Sequence, residues 1–421
     1  MRIAVDIDDT LNIPDREGVA GAYIARNHLP FRLKEEHANA LVKVYDWEED
    51  DVVRFIRSGG ISVFLEARAR KGAAEALGGW IRDGLEVVIL TARRKSWFGN
   101  PESISRDWLE KRQIPYSSLV IEENDKGAYC AEHHISVLVD DNLENCLGAQ
   151  AHGVYAVLAI GKCNGTRANE IYFGSGSWSG LDRAVRRIVT ILQWEERLAR
   201  ACPSRDVRVQ DGWEYRKDVW LGRQGNCVRP VLPSVGLLAE RIAENEKRGV
   251  FRYRLTECDA ALDGMLAERG YAVEAGGACM VCTIPSFVPQ YKRVKFYDKF
   301  DEWTKIYRAV SGESGVLKAY SYLDGRPLFA VIFENEVPVA VGMAVFEEGG
   351  LTLFDVCVKQ DCRKRGLGSG IVCALLGTGA MMGVKSACAQ AEGREAQAFF
   401  EHLGFQKAYD YRYRMKEKEN D

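Results

Sequence analysis

Three short apolar runs in the N-terminal half each break off abruptly into acidic or hydroxyl residues, and this punctuation constrains the fold more than any other feature. The first run is Ile3-Ala4-Val5-Asp6-Ile7-Asp8-Asp9-Thr10-Leu11. The second is Val87-Val88-Ile89-Leu90-Thr91-Ala92-Arg93, and the third is Ser136-Val137-Leu138-Val139-Asp140-Asp141-Asn142, with Lys126 ahead of it. Each reads as a strand whose carboxyl end turns polar. A parallel sheet puts its ligands at the carboxyl ends of its strands, so the three ends can converge on one crevice.

The spacing of patterns supports that sheet. Before residue 200 strands alternate with helices: strands at 2–6, 86–91, 118–122, 136–140 and 154–158, helices over 16–57, 67–83, 103–112 and 143–151. Such alternation implies right-handed crossovers and a parallel sheet. The gap from 11 to 86 is too long for one crossover, and its helical patterns, such as Glu35 to Val53, predict a small helical cap over the strand ends. A final amphipathic helix, Leu181 to Leu198, closes the unit, and Cys202-Pro203-Ser204 reads as a linker. Shorter antiparallel strands follow, with a second joint at Pro285-Ser286-Phe287-Val288-Pro289. A chain of 421 residues exceeds one core. The expected domains are 1–198, 205–285 and 290–421.

Charge and cysteine usage narrow the setting. A net charge of −3 gives no electrostatic case for nucleic acid or a membrane surface as partner. No apolar run reaches the length of a membrane span. Twelve cysteines scattered through strand- and helix-like runs suit a reducing compartment, so a cytoplasmic protein acting on small molecules is expected. Cys279-Met280-Val281-Cys282 has redox spacing, but strand alternation explains it without a metal.

The N-terminal motifs make a chemical argument. Phosphate monoesters hydrolyse very slowly, so catalysis needs charge neutralisation and an in-line nucleophile. Asp6 is the expected nucleophile. Asp8 can serve the leaving oxygen as general acid and then water as base. Thr91 and Lys126 supply a hydroxyl and a fixed cation for the transferring oxygens. Asp6, Asp8, Asp140 and Asp141 offer the oxygen-rich set that Mg²⁺ prefers. A lone Asp-x-Asp is usually a solvated turn; here every part occurs in workable order.

These motifs resemble the haloacid dehalogenase (HAD) superfamily of phosphatases over about residues 1–195, most closely the cytosolic 5′-nucleotidase branch. The resemblance implies a Rossmann-like sheet with a helical cap, Mg²⁺-dependent dephosphorylation, and substrate choice by the cap. Arg32, Arg54 and Tyr45 are candidate selectors there. Tyr45, Trp47 and Phe55 could stack on a base or pack against the sheet.

A second constellation lies near the C-terminus. Leu351 to Val358 alternates like a strand and runs into Arg363-Lys364-Arg365-Gly366-Leu367-Gly368-Ser369-Gly370, then an apolar helix, Ile371 to Met382. Glycines before a helix let backbone N–H groups approach an anion, and the helix N-terminus favours negative charge. A dinucleotide fingerprint would need a carboxylate at the end of the next strand, and 384–391 has none. Arg363-x-x-Gly366-x-Gly368, the Phe399-Phe400-Glu401-His402-Leu403-Gly404-Phe405 stretch and the Tyr409 to Arg414 strand resemble GNAT N-acetyltransferases.

That resemblance implies a splayed mixed sheet with acetyl-CoA between strands 351–358 and 384–391. Val356 and Val358 would meet the pantetheine arm. Gly366, Gly368 and Gly370, with Arg363, Lys364 and Arg365, would hold the pyrophosphate. Asp355 is the candidate general base. Phe400 stands where many members place a general-acid Tyr, and a phenyl ring has no proton to give; Tyr409 or Tyr411 could substitute. Segment 205–285 resembles the N-terminal half of two-lobed GNAT proteins without the glycine loop, a degenerate lobe in which Trp213, Trp220 and Tyr271 would pack. The combined expectation is an α/β, bifunctional phosphatase and acetyltransferase. The rivals are an acetyltransferase with a ligand-sensing HAD module, an acyl-loading enzyme for a carrier protein, and a scaffold.

Overall fold

A computed structural model of the chain describes residues 1–27, 45, 47–161, 164–202, 204–218, 223–234, 236–250, 252–285, 291, 293–312, 326–347 and 349–416. It divides into two units, Met1–Val189 with Leu232–Ile242, and Thr190–Val231 with Ala243–Asp421. Among the described residues no helix is long and apolar enough to cross a membrane.

The first unit is built on a parallel sheet. Its strands are β1 (Arg2–Val5), β4 (Glu86–Leu90), β5 (Ser118–Val120), β6 (Ile135–Asp140), β7 (Tyr155–Ala159) and β8 (Phe173–Ser175), in the order β5-β4-β1-β6-β7-β8. All five pairings are parallel. Every residue of β6 is buried, and β1 and β4 are buried past their first residue, as strands covered on both faces must be. The three motif-bearing strands are adjacent, with β1 between β4 and β6.

The helical insertion after β1 is more broken than the periodicity predicts. The helix Arg16–Arg26 ends near Asn27, and Glu49–Phe55 passes into a wider turn, Ile56–Gly60, before Ser62–Leu65. Gly59, at φ 108°, turns the chain out of the helix, and a side chain at Gly60 would strike the Phe55 ring at 2.6 Å. These pieces share a core of Ala20, Ile24, Tyr45, Val52, Phe55, Phe64 and Phe98. The helix expected from 67 starts only at Ala73, because Arg68–Ala69 (β3) pairs with Asn12–Ile13 (β2). Most of the Glu35 to Val53 pattern, and Arg32, lie outside the described residues.

The second unit holds a mixed sheet. Among the described residues eleven strands follow the order β14 (Val294–Tyr297), β15 (Arg326–Glu334), β16 (Val337–Glu347), β17 (Gly350–Val358), β18 (Ser386–Glu392), β13 (Ala272–Thr283), β19 (Gln406–Met415), β12 (Arg252–Thr256), β11 (Val228–Pro230), β10 (Trp213–Lys217) and β9 (Asp206–Gln210). Those that shape the site are β16, β17, β18, β13 and β19. β13 is hydrogen-bonded between β18 and β19, so segments 205–285 and 290–421 contribute to one sheet. Cys279 and Cys282 both lie on β13, as its alternation implies, and both are free thiols. The helices Leu367–Met381 and Gly393–His402 cover one face and Phe300–Ser311 the other.

One irregularity positions the site. β17 and β18 pair in parallel from Gly350↔Ser386 to Leu353↔Ala389, and pairing stops there although both strands continue. The register of β17 on β16 jumps from Met343↔Phe354 to Val341↔Cys357, so Asp355 and Val356 together oppose Gly342. Asp355 sits at φ 51°. This is a β-bulge, which bends its strand away from the neighbour.

Candidate functional site

In the first unit the strand ends deliver a buried cluster of charge. Asp6 follows β1, Asp140 ends β6, and Asp141 comes next. Lys126 begins the helix Lys126–Glu132, which Asp125 caps by accepting from the Ala128 N–H. Its Nζ lies 2.6 Å from Asp6 Oδ1 and 2.7 Å from Asp140 Oδ2. Asp140 is steadied further by the Asn142 backbone N–H at 2.8 Å and by Asn145 Nδ2. Thr10 Oγ donates to Asp141 at 3.3 Å. One carboxylate oxygen from each of Asp6, Asp140 and Asp141 lies within 4.8 Å of the others. Thr91 is buried at the end of adjacent β4, where its Oγ accepts from the Arg93 N–H.

The electrostatics are unbalanced: among the described residues Lys126 pairs with two of the three buried carboxylates, Asp6 and Asp140. Burial is the main cause of a rise that takes the Asp6 carboxyl to about 7; Lys126 opposes it, while Asp140 and Asp8 add to it. Burial likewise raises Asp141, with Asp140 and Asp6 adding to it. For Lys126 burial works against the charge, and the Asp140 and Asp6 carboxylates more than reverse it. A hard, all-oxygen set short of positive charge suits a divalent cation such as Mg²⁺.

Asp8 stands outside that group. Its carboxylate is gripped by Arg93, with Nε at 2.8 Å from Oδ2 and Nη2 at 2.7 Å from Oδ1, and it accepts from Asn12 Nδ2 at 2.8 Å. As a side-chain metal ligand Asp8 is therefore replaced by the trio Asp6, Asp140 and Asp141. Sequence reasoning missed Arg93 as a site residue, although it stands in the second motif run. Of the proposed cap selectors, Arg54 is exposed and pairs with Asp51 at 2.5 Å. Tyr45, Trp47 and Phe55 lie against one another, with centroids 5.1 and 5.3 Å apart. They form the core of the helical layer rather than packing on the sheet.

In the second unit the divergence of β17 from β18 opens a cleft of about 870 Å³. Residues Leu353 to Val358 form one wall, including Asp355, Val356 and Val358, and Gln390 and Glu392 of β18 form another. Arg363, Lys364, Gly366 and Gly368 close it at the start of the helix Leu367–Met381. Gly366, at φ 76°, is the N-cap residue of that helix, and no side chain caps it. A left-handed backbone there favours glycine. Arg363 Nε donates to the Val358 carbonyl at 3.2 Å.

Two expected anion ligands turn elsewhere. Arg365 pairs with Glu334 at 2.7 Å, and Gly370 faces inward, where a Cβ would come within 2.7 Å of the Tyr291 ring. Neither lines the cleft. The two substitute acids also fail on placement. Tyr409 OH donates to buried Glu195 at 2.6 Å, and Tyr411 lies under the Arg254 guanidinium, 4.3 Å from its ring centroid. Alternation along β19 sends 409, 411 and 413 to one face, and of the three Tyr413 borders the cleft, its OH accepting from Arg254 Nη1 at 2.7 Å. Phe400 lines the cleft as well.

Residues 189–414 match the family model described as "Probable histone acetyltransferase Rv0428c C-terminal". No curated protein matches the sequence. Among solved structures, a GCN5-related N-acetyltransferase from Kribbella flavida is similar at 15% identity, over 55% of this chain and 95% of its own, with a TM-score of 0.43. A tandem GNAT protein from the clavulanic acid biosynthesis pathway shows 13% identity over 46% and 76%, with a TM-score of 0.36. A predicted phosphatase from Clostridium acetobutylicum shows 14% identity over 44% and 97%, with a TM-score of 0.35.

Proposed function

The chain belongs to the Rv0428c C-terminal family of probable histone acetyltransferases, and we propose that its second unit moves an acetyl group from acetyl-CoA to an amine, in this reading that of a small molecule. The observation that carries this reading is the parting of β17 from β18 beside a glycine loop and an uncapped helix N-terminus, all bordering one cleft. Once its ladder partner has gone, the Val356–Val358 backbone can pair with an amide-bearing arm. The Gly366 and Gly368 backbone, with Arg363 and Lys364, can hold a pyrophosphate. In the reaction a C–N bond forms as the C–S bond of the thioester breaks. The amine proton goes to Asp355, and the departing thiolate takes one from water. Calorimetric titration with acetyl-CoA tests the site: tight binding weakened at least tenfold by Arg363→Glu supports it, and an absence of binding overturns it.

The Asp6, Lys126, Asp140 and Asp141 cluster favours a second activity in the first unit, hydrolysis of a nucleotide or other small phosphomonoester. Asp6, Asp140 and Asp141 would hold Mg²⁺, whose charge would neutralise phosphoryl oxygens. Asp6 attacks phosphorus as the ester P–O bond breaks, Asp8 gives a proton to the leaving oxygen, and Lys126 and Thr91 face the transferring group. Hydrolysis of p-nitrophenyl phosphate that Asp6→Asn abolishes supports this assignment. A purely ligand-sensing first unit would leave every activity unchanged in Asp6→Asn.

A further inference from the structure

We infer that Arg93 is the positioning residue that aims Asp8 at the hydrolytic water, an assignment that rests on the phosphatase reading of the first unit. Arg93 is 3% exposed, two residues beyond Thr91. Its Nε and Nη2 grip both oxygens of Asp8 at 2.8 and 2.7 Å, a two-point fork that fixes the plane of the carboxylate as well as its place. Nη1 is spent on Ser105 Oγ at 3.1 Å. Its guanidinium carbon lies 5.7 Å from the Phe64 ring centroid and 5.6 Å from that of Phe98, within reach of a cation–π contact. Arg93 is thus braced by the helix Pro101–Lys111 and by the aromatic core of the helical insertion.

A plain structural tie between the ends of β1 and β4 explains this poorly. The two strands are already in register over four residue pairs. A buried guanidinium is costly to desolvate and is rarely the best way to add stability. Asp8 also keeps 18% of its side chain exposed, so water can reach it. The fork favours the ionised carboxylate and fixes its plane, so a lone pair not used by Arg93 can be held toward a water proton. That is the need of the second half-reaction: water attacks phosphorus, the bond from phosphorus to Asp6 breaks, the water proton passes to Asp8, and phosphate leaves with Asp6 restored. A lysine offers one point of contact and would not fix the plane.

The test is rapid mixing of the full chain with p-nitrophenyl phosphate and Mg²⁺, comparing wild type, Arg93→Lys, Arg93→Gln and Ser105→Ala. p-Nitrophenolate departs with little acid assistance, so the first half-reaction should be spared. Both Arg93 variants should lose about 10- to 100-fold in steady-state turnover. They should retain a burst of one product per protein and accumulate phosphorylated Asp6, detectable by intact mass after acid quench. Ser105→Ala, which removes only the brace, should show the same pattern at a few-fold loss. A burst that slows in step with turnover, or a raised KM with unchanged kcat, would overturn the inference while leaving the phosphatase reading intact. A wild type without any Asp6-dependent hydrolysis would remove the phosphatase reading itself, and the inference with it.

Discussion

Each unit buries a cluster of ionised side chains, and the two are built on opposite principles. In the first, Lys126 bridges Asp6 and Asp140, and Asp141 lies beside them in the same carboxylate group. In the second, Glu195 takes two hydrogen bonds of 2.7 Å from Arg254 and one from Tyr409, and Glu214 is shared by Arg216 and Arg229 at 2.9 to 3.0 Å. The carboxyls respond accordingly. Burial lifts Asp6 and Asp141 because too little positive charge opposes it. Burial also works to lift Glu195 and Glu214, yet their arginine partners prevail and hold both below the usual range. A cluster that neutralises itself is architecture. One left short of positive charge stores a demand that a cation can meet, and perturbed groups of this kind concentrate at functional sites.

The largest expected effect breaks that comparison most directly. Asp6→Asn should abolish phosphomonoester hydrolysis, a loss of at least about 10³-fold, by removing the nucleophile. In chelator the same substitution should slow hydrogen exchange in β1 and β6, since it relieves repulsion among buried carboxylates. A variant that loses both activity and local protection would place the first cluster in the same structural class as the second.

Glu195→Gln should do the reverse, destabilising the second unit by about 3–5 kcal/mol because Arg254 is left buried without its counter-charge. Denaturant unfolding followed by exchange at β19 reads this. Acid should act in the same direction. The folded Glu195 pKa lies below its ordinary 4.5, so the pair's contribution is present above that value and is lost as pH falls through the folded pKa. Asp6 runs oppositely. Its folded pKa, about 7 against 3.8, means its stabilising contribution is complete below pH 4 and fades as pH rises toward 7. Metal-free protein should therefore gain protection in β1, and lose it in β19, as the solution is acidified below neutrality and then below pH 4.

How much of this was legible in the sequence follows from the range of each interaction. Asp6, Lys126 and Asp140 converge, with Thr91 at the end of adjacent β4, because each sits at a strand or helix end, and strand ends announce themselves by the loss of apolar residues. The glycine loop was legible for the same reason. The Arg93–Asp8 fork joins residues 85 apart in the chain, and no local pattern encodes which carboxylate an arginine will choose. The bulge at Asp355 shifts one register without interrupting the apolar alternation of β17. Tyr409, Tyr411 and Tyr413 share one periodicity, so choosing among them requires knowing where β17 parts from β18. Ser58-Gly59-Gly60 is a readable breaker directly after the helices expected over 16–57.

Sharpening the contrast further, Mg²⁺ should stabilise the first unit and leave the second untouched. At a free concentration one hundred times its dissociation constant the gain is about 2.7 kcal/mol. Asp141→Asn should reduce that gain while sparing acetyl-CoA binding. Equal Mg²⁺ shifts in wild type and Asp141→Asn would remove Asp141 from the ion's ligands.

The smallest effects separate two glycines of one loop. A Cβ at Gly370 would press on the Tyr291 ring at 2.7 Å, an overpacking that costs about 1–3 kcal/mol. A Cβ at Gly366 meets nothing within 4 Å, so Gly366→Ala is penalised only by its φ of 76°, about 1–2 kcal/mol. Binding should rank them the other way. Gly366 borders the cleft and Gly370 does not, so Gly366→Ala should weaken acetyl-CoA several-fold while Gly370→Ala loses stability at nearly unchanged affinity. The cleft would then be an anion site made from uncharged backbone, a third arrangement beside the two charged clusters. Equal losses of affinity at the two positions would mean that the loop acts through its packing instead.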